Sequence, residues 1–325
     1  MNKNLGRWLA LACATAGVLQ IGVAGAAPGD LREGLSAFVR GQYERAADLL
    51  DLAISNASLT GAERVSALRA LATAQLLAGR YGQAESAVTE LLIERAGAAD
   101  PAAASDLMLA GRIAKEQGRY QRAEASYREG IERLGRKYGI DHPEVAEALR
   151  QLGDIALAQG RIGEAEKLYW RAYMVGSYVG GAESSLVGAA LLGLGLVRQA
   201  QKRPTESREL LLRALQIADK PPRSNGKWDR LDARDLRALQ PEEREYVAVR
   251  GRIYSRTAEP SHPDFAEHLE HRAAILRALD RLDEAASSYG RAVDIRRRNF
   301  GDSHPIIAYD LKQIAEIQGR RPGPQ

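Results

Sequence analysis

At 325 residues, with 45% apolar and 27% charged side chains, the chain has the make-up of a folded protein and not of a disordered segment. The formal charge of +4 falls to +2 without Lys3 and Arg7, leaving 44 basic residues against 42 acidic, so the balance gives no case for nucleic acid. Cys13 is the only cysteine, which excludes a disulfide framework.

Residues 1–26 have the three-part plan of a secretory signal peptide: Lys3 and Arg7, an apolar run over 8–23, then Ala24-Gly25-Ala26. Cleavage is expected after Ala26 or Ala27. The run is too short and too rich in Gly and Ala for a comfortable membrane span, so no stable span is expected after processing. Cys13 would be the acylated residue of a lipid-anchored assembly factor, but the leucine of Ala10-Leu11-Ala12 stands one place from the usual lipobox position. An exported mature chain without cysteine points to a periplasmic or secreted bacterial protein.

Residues 27–218 read as five helix pairs, over 30–52, 62–93, 102–137, 143–178 and 184–218. Pro143 suits a first helical position, where its missing donor is not needed, and Gly180-Gly181 separates the fourth pair from the fifth. The pairs share one frame. Taking the turn residues Gly41, Gly79, Gly118, Gly160, Lys202 and Asp280 as origins, the spacings are 38, 39, 42, 42 and 78. Seven residues before each origin stands Gly or Ala: Gly34, Ala72, Gly111, Gly153, Gly195 and Ala273. Five and twelve after it, in the second helix, come small residues such as Ala123 and Gly130 or Ala165 and Ala172, and nine after it come Leu50, Val88, Tyr127, Tyr169, Leu211 and Tyr289. Steps of three and four place each set on one helix face, so small residues let paired backbones approach and a large one fills the space beside them.

With its small-residue pair, the Gly-x-Tyr turns at Gly41, Gly79 and Gly118 and the aromatic of the second helix, the sequence resembles the tetratricopeptide repeat family. The 42-residue units resemble the kinesin-light-chain variety, which has a His-Pro dipeptide entering the first helix, as at His142-Pro143, His262-Pro263 and His304-Pro305. The resemblance implies an all-α, right-handed superhelical solenoid of stacked antiparallel helix pairs that binds other proteins. Lys202 and Asp280 depart from the turn glycine, and Pro204 from the turn aromatic.

Regularity stops at Asp219. Residues 219–259 read as an irregular insertion with one or two helices, since Pro221-Pro222 cannot continue a helix and an origin at Gln240 puts Glu245 and Arg252 where small residues belong. Residues 260–325 hold a sixth pair over 263–298, a capping helix over 305–318 and a short disordered tail.

No catalytic site, cofactor site or metal site is expected. His268 and His271 stand three apart but match neither His-Glu-x-x-His nor His-x-x-Glu-His, so a solvated helix face is expected there. Gly226-Lys227-Trp228 lacks the Ser or Thr of a phosphate loop. The alternative is an enzyme or accessory protein using Asp229, Asp232, Glu242 or Glu243 of the insertion.

The resemblance implies a concave groove lined by first helices. Among the positions ten, six and three before each origin, the candidate partner-binding set is Arg69, Met108, Arg112, Lys115, Arg150, Asp154, Leu157, Leu192 and Leu196. Its basic centre and apolar flanks suit a peptide segment carrying acidic and apolar residues. Two readings of the cations stay open: they face a partner, or they are solvated or paired within the solenoid.

Overall fold

A computed structural model describes residues 29–56, 59–95, 102–139, 142–220, 263–302 and 305–319. The leader expected over 1–26 and nearly all of the 219–259 insertion lie outside these residues, together with Asp229, Asp232, Glu242 and Glu243. The described residues form thirteen helices and no strand: α1 (Gly29–Val39), α2 (Tyr43–Asn56), α3 (Gly61–Leu77), α4 (Tyr81–Glu94), α5 (Ala102–Glu116), α6 (Tyr120–Tyr138), α7 (Pro143–Ala158), α8 (Ile162–Gly180), α9 (Ser185–Ala200), α10 (Pro204–Ala218), α11 (Pro263–Ala278), α12 (Leu282–Phe300) and α13 (Pro305–Gln318). Consecutive helices pair, and the pairs stack into an all-α solenoid.

Each pair turns through the same motif. The residue at the origin is left-handed in all six units, with φ of +75° at Gly41, +77° at Gly160, 59° at Lys202 and 61° at Asp280. The next amide then donates back five residues, as from Arg80 to Gln75, Arg161 to Ala156 and Arg281 to Leu276. This satisfies carbonyls that the ending helix leaves open, so Lys202 and Asp280 adopt the glycine conformation despite their side chains.

The small-to-large contact lies where the spacing puts it. A Cβ on Gly111 would stand 3.1 Å from the Tyr127 ring, one on Gly153 2.8 Å from that of Tyr169, and one on Gly195 2.7 Å from Leu211. At the start of α7 the His142 imidazole accepts the Glu144 amide at 3.3 Å, with Pro143 in the first turn. Burial lowers the His142 pKa to about 4, which keeps that nitrogen free to accept.

Successive first helices (α1, α3, α5, α7, α9, α11) also pack on one another, whereas contacts between successive second helices are sparser. The first-helix side is therefore the inside of the curve. The sixth pair stacks directly on the fifth: Gln199 donates to the Ala278 carbonyl at 2.8 Å, Arg272 meets Asp219 at 2.7 Å, and one core joins Val187, Leu211, Ala273 and Tyr289. The capping helix α13 is fastened by Asp310, which accepts from Arg296 at 2.5 Å. At the other end the Phe300 ring lies 5.5 Å from Tyr43, which lies 5.5 Å from Phe38, so the last pair touches the first.

Candidate functional site

The inner face carries a ladder of buried ions. Arg69 of α3 reaches across to α5 and donates twice to Asp106, at 2.6 and 3.1 Å, while Arg95 approaches the same carboxylate at 3.5 Å. One unit on, Lys115 of α5 donates to Gln151 of α7 and stands 4.0 Å from Asp154. Within α7, Arg150 grips Glu147 at 2.6 Å and Asp154 at 2.7 Å. The phenol of Tyr169 donates to Asp154 at 2.8 Å, joining the ladder to the small-to-large contact.

Burial sets the protonation of this ladder. It pulls Lys115 down to about 8, with Asp154 and Glu116 resisting. Burial also opposes the charge on Arg150, but Asp154 and Glu147 outweigh it and hold the guanidinium charged. Glu144 of α7 is pushed up to about 7 by burial, against a Ser105 hydroxyl donating at 2.8 Å and the nearby Arg69.

Each groove residue of the candidate set lies on a first helix. Arg69, Arg112, Lys115, Arg150 and Leu192 are buried, while Met108, Asp154, Leu157 and Leu196 are partly exposed. Of the two readings of the cations, the arrangement of Arg69, Lys115 and Arg150 is the one paired within the solenoid. Buried pairs of this kind are costly to break from one side, because the survivor is left charged in a low-dielectric interior. Their partners Asp106, Glu147 and Gln151 sit nine to thirteen residues before the following turns and belong to no frame position. Asp106 of α5 and Glu147 and Gln151 of α7 are polar residues on largely apolar helices, a signal that marks them without giving their partners.

The solvated face expected at His268 and His271 is corrected. Both are partly buried, because α11 packs against α9 and α10: His271 lies beside Gly188, and the His268 ring stacks on Phe265 at 5.8 Å. Burial lowers both, His271 to about 3, with the His268 and Arg150 charges adding to the effect. Among the described residues no group of three or more His, Cys, Asp or Glu could hold a metal, and no helix is long and apolar enough to cross a membrane.

Residues 95–173 and 265–306 match tetratricopeptide repeat family models. No curated protein matches the sequence. Among solved structures, the apo form of RapI superposes with a TM-score of 0.53 at 12% identity, over 82% of this chain and 96% of that one. BtubC (BKLC) from P. vanneervenii gives 0.46 at 18% identity, over 92% and 96%. A putative kinesin light chain from Podosopora anserina, with nearly identical TPR-like repeats, gives 0.49 at 18%, over 58% and 92%. The RapI likeness is one of fold.

Proposed function

We propose, from the premise that the chain is a tetratricopeptide-repeat protein, that it is a non-catalytic scaffold exported to the bacterial envelope, holding a segment of another protein across its first helices. The observation that carries this reading is the side-by-side packing of successive first helices, which makes one continuous face from four or more units. On that face the partner meets the partly exposed Met108, Asp154, Leu157 and Leu196. Beneath them Arg69, Lys115 and Arg150 fix the spacing of the units, each engaged by this chain's own side chains. The field they leave still favours a segment carrying acidic as well as apolar residues. Export rests on the leader plan of residues 1–26.

A photo-crosslinking amino acid placed at Leu157 tests the binding face in intact cells. The expected adduct is a peptide of another envelope protein, formed at Leu157 and not at Ser86 on the second helix α4. Absence of a Leu157 adduct, or equal yields at both positions, would overturn the assignment. Fusion of residues 1–30 to an enzyme active only outside the cytoplasm tests export, and an inactive fusion would remove it.

A further inference from the structure

One strip of the outer surface is apolar where the matching strips of α6 and α12 are charged. The second helices α6 and α12 turn charged residues to solvent, such as Arg128, Glu129, Glu132 and Arg136 on α6. On α8 the corresponding strip holds Trp170, Met174 and Tyr178, which are 40%, 67% and 59% exposed. Spacings of four put the three on one line about 12 Å long. Trp170 is set by an edge-on contact with the Tyr173 ring at 5.5 Å. The strip continues on α10, where the exposed Leu212 occupies the place in its unit that Trp170 occupies in the preceding one. Single exposed apolar residues need no explanation, but a continuous line of large ones marks a surface that is covered in use.

The charges beside the line indicate what covers it. Lys167 and Arg171 are exposed on the same face of α8, and among the described residues neither has a carboxylate partner. On α6, by contrast, Arg128 pairs with Glu124 and Glu164, Arg133 with Glu129, and Arg136 with Glu132. Among the described residues the chain thus neutralises its outer arginines one unit away and gives these two cations no carboxylate. A second copy of the strip would bring four such cations into one interface. An acidic partner would supply the missing carboxylates.

We propose that the Trp170–Met174–Tyr178 line of α8 docks an acidic amphipathic helix of another protein. Its apolar stripe lies along the aromatic line and its carboxylates face Lys167 and Arg171. This surface is separate from the first-helix face, since Tyr169 points into the pair and Trp170 away from it.

The test is a photo-crosslinker in place of Met174 in the full chain in intact cells, with sequencing of the adduct. The expected adduct is a segment of another protein with net negative charge and apolar residues three and four apart. Its yield should fall at least tenfold in a Lys167→Glu/Arg171→Glu variant that keeps the wild-type helix content and Tm. Adducts to a second copy, to residues 221–262 of this chain, to lipid or to a segment without acidic residues would each overturn the proposal. So would an unchanged yield in the double reversal, or no adduct at all. Adduct formation at Leu157 is read separately, so failure at one surface is distinguishable from failure at the other.

Discussion

The ring of Tyr169 fills the place where Gly153 lacks a side chain, so closely that a Cβ there would stand 2.8 Å from the ring. Gly193 of the next first helix closes on the same ring, leaving even less room. One aromatic thus holds together its own pair and the following one. Gly193→Ala should lower the unfolding free energy by about 1–3 kcal/mol, the usual cost of forcing a methyl into a filled core. Denaturant unfolding checks it, and Gly163→Ala, where a Cβ meets nothing within 4 Å, is the control.

Lys202 and Asp280 hold positive φ where the other turns use glycine. A side chain in that conformation costs about 1 kcal/mol or more, and glycine removes the strain at a smaller cost in chain entropy. Lys202→Gly and Asp280→Gly should each raise Tm by a few degrees. Calorimetry of the single and double variants reads this directly, with near-additive gains because the two turns are separate.

Glu144 has its pKa raised to about 7, first by burial. Folding therefore favours its protonated form. The stability it contributes is complete below pH 4.5 and is lost as pH rises through 7. Glu144→Gln should match the wild type near pH 4 and exceed it at pH 8, by at most roughly 3 kcal/mol for a shift of this size. Unfolding curves at the two pH values check both halves.

Phe300 joins Tyr43 across the ends of the array, at a ring separation of 5.5 Å. Phe300→Ala removes a contact worth about 1 kcal/mol beyond the area it buries. The expected result is a larger radius of gyration by small-angle X-ray scattering with helix content unchanged.

Much of this architecture was legible in the sequence, because contacts inside a pair depend only on helical spacing. Gly111 with Tyr127 and Gly153 with Tyr169 follow from the steps of three and four. The ion ladder was not legible. Arg69 meets Asp106 and Lys115 meets Gln151 across units, and which residue lies opposite which depends on how far one unit slides against the next. The burial of His268 and His271 escaped for a related reason: their cover comes from α9 and α10, far back in the sequence. The α8 line escaped because the frame follows the inward positions and Trp170, Met174 and Tyr178 fall on none of them.

The most direct test of the account concerns the inner cations, which are held to stack the units rather than to face a partner. The measurement is the unfolding free energy of Asp106→Ala beside that of Arg69→Leu/Asp106→Leu. Removing Asp106 alone leaves Arg69 and Arg95 charged in the interior and should cost about 3–5 kcal/mol, whereas the paired apolar replacement should recover the part due to Arg69, Arg95 being the same in both variants. Full stability in Asp106→Ala, together with loss of the Leu157 adduct, would place these groups in partner recognition and contradict the account.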